Sequence, residues 1–146
     1  MKIWAHRGCS QNYPENTLLA FEKAAQLFEK GLTGIELDIQ MTKDEEIVVC
    51  HDEEVNRTSD GIGYVKDFTL KDIKKLRIDA GLNGVQQIPT ILEVFELLKE
   101  NLTDGLLINI ELKNSIIKYE GMEEKIPPVR LKYPMLSGEC LNSFVG

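Results

Sequence analysis

The segment Gly34 to Met41 alternates apolar and polar residues with a period of two, and only Thr42 to Glu46 separate it from a second apolar run at Ile47 to Cys50. A parallel pair of strands needs a crossover of about a dozen residues, so a link this short dictates an antiparallel hairpin. Within the first strand the alternation sets Glu36 and Asp38 on one face and Ile35, Leu37 and Ile39 on the other.

The rest of the chain alternates strands with helices. Ile3 to Ala5 predicts a first strand. Pro14-Glu15-Asn16-Thr17 then leads into Leu18, Phe21, Ala24, Ala25 and Phe28 at helical spacing, with Asn16 as the expected N-cap and Lys30-Gly31 as the stop. From Asp52 to Gln87 the apolar spacing loosens, Ser59 to Gly63 signals a turn, and Thr69 with Asp72 resembles a capping box on one short helix; the segment reads as an insertion lying over something else. Thr90 and Glu93 have capping-box spacing before Leu92, Phe95 and Leu98, a helix expected to end at Asn101. Leu106 to Lys113 predicts the last clear strand, with Asn109, Glu111 and Lys113 on one face. Strand, helix, strand, helix, strand is an α/β pattern. Glu120 to Lys125 could open a helix that Pro127-Pro128 forbids from continuing.

Composition removes several classes of function. The chain has 146 residues and 42% hydrophobic content, enough for one domain with its own core. A net charge of −7 with no basic stripe leaves no means of neutralising a nucleic-acid backbone. No apolar run approaches the ~18 residues of a membrane span, and the early start of the first strand leaves no space for a secretory signal, so a cytoplasmic location is expected. Cys9, Cys50 and Cys140 form no close pair, which argues for idle thiols over a disulfide framework or a zinc ribbon.

Glu36 and Asp38, about 6 to 7 Å apart at Cα, are close enough to converge on one cation. With Glu111 they offer only oxygen ligands, which suits a hard ion such as Mg²⁺ or Ca²⁺ better than zinc or copper. The same pattern also fits an edge strand with an acidic, solvated face. The chain has only two histidines, His6 and His51, and both stand at strand ends. They read either as a general acid and base or as two structural imidazoles. Arg7 is a cation able to bind phosphate beside Gly8, which lets backbone approach closely; Lys113 could neutralise phosphate charge or pair with an acid.

These positions together closely resemble the glycerophosphodiester phosphodiesterase family. The matching segments are His6-Arg7-Gly8, Pro14-Glu15-Asn16-Thr17 with Ala20-Phe21, Glu36-Leu37-Asp38, Thr42-Lys43-Asp44, His51-Asp52, Arg57-Thr58, Ile88-Pro89-Thr90 with Glu93, and Asn109 to Lys113. No single segment is specific; their order and spacing together are.

The resemblance implies a metal-dependent phosphodiesterase on a (β/α)₈ TIM-type barrel, with an insertion after the third strand, at about residues 52–89. It implies metal ligands at Glu36, Asp38 and Glu111, acid and base at His6 and His51, a phosphate contact at Arg7, and glycerol 3-phosphate and an alcohol as products. A barrel of this type takes about 250 residues, so the chain is expected to carry its first half over residues 1–125, followed by an atypical tail over 126–146 in which Ser143-Phe144 only faintly matches a later family strand. The open edges of such a half predict self-association. A truncated, inactive fragment that at most binds a divalent ion, and a phospholipase-type phosphodiesterase, are the alternatives.

Overall fold

The computed structural model describes residues 1–113, 117 and 119–126. The expectations for Pro127-Pro128, Cys140, Ser143-Phe144 and nearly all of the 126–146 tail lie outside the described residues.

Strand β1 (Trp4–His6) leads through helix α1 (Leu18–Ala25) into β2 (Gly34–Met41), and β1 and β2 pair in parallel. The expected hairpin follows: β3 (Ile47–Val49) runs antiparallel to the last residues of β2, with Ile39 opposite Val49. Helix α3 (Ile91–Thr103) then delivers the chain to β6 (Leu107–Leu112), which pairs in parallel with β2 from Gly34 to Ile39. A β-α-β-α-β frame thus carries a parallel β1-β2-β6 sheet with β3 added to it.

All eight residues of β2 are buried. Its alternation does not mark a half-solvated edge strand. It marks a central strand with an apolar side against helices and a polar side that carries the buried Glu36 and Asp38. Ile35, Leu37 and Ile39 join Phe21 and Ala24 of α1 and Val94, Phe95 and Leu98 of α3 in the main core. Phe21 and Leu98 are fully buried, each worth about 1.5–3 kcal/mol of burial free energy.

Three helix boundaries differ from expectation. Helix α1 ends at Ala25 rather than at Lys30-Gly31, and Phe28–Lys30 forms a separate 3-10 turn that Gly31 closes at φ +103°. Thr17, not Asn16, caps α1, its hydroxyl accepting from the Ala20 N–H at 3.2 Å; Asn16 has φ +55° and turns its amide elsewhere. Helix α3 opens on the expected Thr90/Glu93 capping box but runs past Asn101 to Thr103, where Gly105 at φ +108° breaks it.

The segment after β3 is an inserted unit with its own small core of Val48, Cys50, Val55, Val65, Ile73, Ile78 and Ile88. It holds the expected short helix α2 (Leu70–Ile73), capped by Thr69, and a two-stranded ribbon of β4 (Ile78–Asp79) and β5 (Val85–Gln86) that no sequence pattern announced. Strands of two residues are too short to display a period. No helix among the described residues is long and apolar enough to cross a membrane.

Candidate active site

The polar side of β2 and the adjoining positions of β6 supply the center of the site. The register sets Asp38 opposite Glu111, and Glu36 between His6 and Asn109. One oxygen from each of Glu36, Asp38 and Glu111 lies within 4.8 Å of the other two. Asp38 is fully buried and Glu36 only 7% exposed. Burial, followed by the charge of Asp38, pushes the Glu36 carboxyl up to about 8.

Lys113, just past β6, lies across this cluster: its ammonium is 2.6 Å from Glu111 Oε1 and 3.3 Å from Asp38 Oδ1. Burial disfavours that charge, but Glu111 and Asp38 outweigh it and hold the Lys113 pKa above its ordinary value. Arg7 enters from the other side. Its backbone N–H donates to Glu36 Oε2 at 3.0 Å, and its guanidinium Nε stands 3.5 Å from Asp38 Oδ2. Arg7 has φ +56° and Gly8 φ +78°, so the chain folds back sharply after β1. A Cβ on Gly8 would lie 2.7 Å from the backbone carbon of Ala20, so only glycine lets the loop press on α1 this closely.

The loop before α1 contributes twice. Asn16 is buried and its amide donates to Asp38 Oδ2 at 3.0 Å, which is why it does not cap the helix. Glu15 Oε2 accepts from Arg7 Nη1 at 3.1 Å. In sequence Glu15 was legible only as part of a family segment and Asn16 only as an expected helix N-cap; the pairing of residues so far apart is invisible to periodicity.

The histidines occupy the rim. His6 Nε2 is 3.8 Å from Glu36 Oε2, with the side chain 61% exposed. Burial of its inner part, then the Arg7 cation, lowers the His6 pKa; the Asp38 charge opposes them and His51 adds to the lowering, so the two imidazoles sense one another. His51 Nδ1 is 2.7 Å from Asp52 Oδ1. Its backbone carbonyl accepts from the amide of buried Gln40 at 3.0 Å, and Gln40 Oε1 accepts from the Tyr119 hydroxyl at 2.8 Å. Every sequence-designated residue, His6, His51, Arg7, Lys113, Glu36, Asp38 and Glu111, therefore belongs to this one region. Cys9 and Cys50 are free thiols, and burial pushes Cys50 up to about 12, well out of nucleophilic range.

The carboxylate cluster has the character of a cation site. Glu36 Oε1 is buried without a hydrogen-bond partner among the described residues. Three converging carboxylates, two of them buried, repel one another unless positive charge enters, and their all-oxygen donor set fits a hard divalent ion.

Comparison with known proteins agrees with this geometry. The glycerophosphodiester phosphodiesterase of Caldanaerobacter subterraneus subsp. tengcongensis is 48% identical over 147 residues, covering 97% of this chain and 57% of that protein. The enzyme of the same name from Bacillus altitudinis is 48% identical over 130 residues, covering 86% of this chain and 50% of that protein. Among solved structures, an Oleispira antarctica phosphodiesterase in complex with the product sn-glycerol-3-phosphate is similar with a TM-score of 0.69 and 34% identity, over 86% of this chain and 48% of that one. The chain spans about half the length of the curated relatives it matches. Its fold is accordingly half of a (β/α)₈ barrel with the insertion following the third strand. The family model described as glycerophosphoryl diester phosphodiesterase matches residues 6–133, most of the sequence, and this chain belongs to that family.

Proposed function

We propose that this chain carries the catalytic face of a metal-dependent phosphodiesterase that hydrolyses glycerophosphodiesters to glycerol 3-phosphate and an alcohol, as a cytoplasmic step of lipid and glycerol metabolism. The observation that carries the reading is the convergence of Glu36, Asp38 and Glu111 oxygens within 4.8 Å, flanked by Arg7, Lys113 and the two histidines.

In this mechanism Glu36, Asp38 and Glu111 would hold a divalent ion, Mg²⁺ or Ca²⁺, which would supply Lewis-acid polarisation of the phosphoryl group. Arg7 and Lys113 bind the phosphate oxygens and offset the negative charge that grows in the transition state. His6 and His51 carry the protons. One imidazole takes the proton of the attacking hydroxyl or water as the new O–P bond forms; the other gives a proton to the alkoxide as the old P–O bond breaks. Gln40 and Asp52 keep the His51 backbone and ring in place.

The reading divides the chain at about residue 125, with the barrel portion at 1–125, its insertion at about 52–89 and an atypical tail at 126–146, of which Ile126 packs into the main core. Among the described residues β1 and β6 each pair only with β2, and these open edges favour self-association. The test is glycerol 3-phosphate release from glycerophosphocholine by the purified chain with Mg²⁺ or Ca²⁺, beside a Glu36→Ala control. Metal-dependent release that disappears in the control supports the reading. Absence of release with retained cation binding makes the chain an inactive cation-binding half, and release only from phosphoinositide or sphingomyelin substrates makes it a phospholipase-type enzyme.

A further inference from the structure

Five charged or ionisable side chains beyond the carboxylate cluster, Arg7, Glu15, Arg57, Asp52 and His51, form one continuous set of contacts, and the proton and phosphate chemistry leaves its middle unexplained. Arg57 belongs to the inserted unit. Its guanidinium grips both oxygens of Asp52, Nε to Oδ2 at 2.8 Å and Nη2 to Oδ1 at 3.0 Å. The same Nη2 donates to Glu15 Oε1, while the other oxygen of Glu15 accepts from Arg7. Asp52 Oδ1, gripped in this way, is the atom that meets His51 Nδ1.

We propose that Arg57 is a positioning residue for the proton-transfer step: by fixing Asp52 from behind, it holds His51 in the Nδ1–H tautomer and leaves Nε2 as the atom that exchanges protons. The proposal rests on the reading of His51 as a proton carrier.

The argument is one of donors and acceptors. An ionised carboxylate only accepts, so the His51 nitrogen facing it must carry the hydrogen, and in a neutral ring the other nitrogen then holds the lone pair. Left alone, Asp52 could rotate or retreat into solvent, since its side chain is 28% exposed. The forked, permanently charged guanidinium removes that freedom, because it engages both oxygens at once. The Arg57 hydrogen bond is also the leading reason that the Asp52 carboxyl titrates at about 2, which keeps it an acceptor throughout the neutral range.

Stability alone is a poor account of the arrangement. Arg57 is 52% exposed, and ion pairs at such exposure add little to folding. Its second contact, to Glu15, ties the insertion to the loop that also holds Arg7. The insertion thereby registers the proton carrier and the phosphate arginine against one another.

The experiment uses the full chain labelled with ¹⁵N at histidine. Long-range ¹H–¹⁵N spectra report the tautomer of each ring, and a His6→Gln variant assigns the two signals. The expected result is His51 in the Nδ1–H form, with that form falling severalfold in Arg57→Gln and in Arg57→Lys, which keeps the charge but loses the fork. In glycerophosphocholine turnover both variants should lower kcat about tenfold with KM within about twofold. An Nε2–H tautomer in the unaltered chain, or an unchanged tautomer in either folded variant, overturns the proposal. Unfolding of both variants overturns it too, by making Arg57 a structural anchor. If the unaltered chain releases no glycerol 3-phosphate, the enzymatic reading fails while the tautomer measurement still decides the role of Arg57.

Discussion

Asp38 on β2 and Glu111 on β6 sit at paired positions of two adjacent parallel strands, with Lys113 lying across both carboxylates. The lysine supplies part of the positive charge that the acidic cluster requires. Under the proposed function, cation and phosphate binding should be coupled through this one ammonium: an ion among the carboxylates would release Lys113 to face an anionic substrate.

Binding of a divalent cation should release a proton at neutral pH. Glu36 titrates at about 8 through burial and the Asp38 charge, so it is largely protonated at pH 7 and must ionise to act as a ligand. Calorimetry in buffers of different ionisation enthalpy should show the release, and cation affinity should rise as pH approaches 8. The linkage has a counterpart without metal: a carboxyl raised from 4.5 to about 8 binds more protons folded than unfolded, so stability falls as pH rises through that window. Glu36→Gln should abolish the proton release and weaken cation binding by about tenfold or more.

Asp52 behaves in the opposite sense. Its carboxyl is depressed from 3.8 to about 2, first by the Arg57 hydrogen bond, so its contribution to stability is complete above pH 3.8 and lost as pH falls through 2. Allowing for screening at half-exposed Arg57, that contribution is on the order of 1 kcal/mol. Asp52→Asn should lower urea stability by about that amount at pH 7 and flatten its decline between pH 4 and pH 2. An unchanged acid limb would remove Asp52 from the account of acid unfolding.

His6→Ala and His51→Ala should each reduce turnover by about 10² or more while leaving the circular dichroism spectrum and cation binding intact. Near-normal turnover in either variant would take that histidine out of the proton-transfer step.

Gly8→Ala joins two penalties, a left-handed backbone at φ +78° and a Cβ 2.7 Å from the Ala20 backbone. The expected loss is about 2 kcal/mol or more in the urea midpoint. Because Gly8 follows Arg7, turnover should fall further than stability alone explains.

Much of the frame was legible in order along the chain. The link from Thr42 to Glu46 was too short for anything but the β2–β3 hairpin, and Thr90 with Glu93 marked the start of α3. Both are signals that a few neighbouring residues contain entirely. Asn16 shows where such signals mislead: it had the side chain of an N-cap, but a bond to Asp38 outcompeted the local one and left capping to Thr17. The β4–β5 ribbon and the Arg57–Asp52–Glu15 contacts had no local mark at all.

The sequence by itself determined the alternation that separates the acidic and apolar faces of β2, the placement of His6 and His51 at strand ends, and the helix that precedes β6. Those properties follow from backbone period and capping, which act over a few residues. Only the tertiary structure decided that β2 is buried on both faces, that Glu111 joins Glu36 and Asp38, and that an arginine of the insertion grips the aspartate beside His51. Each depends on parallel register or on the docking of one unit against another. Such pairings are set by burial and charge between distant segments, and no local period records them.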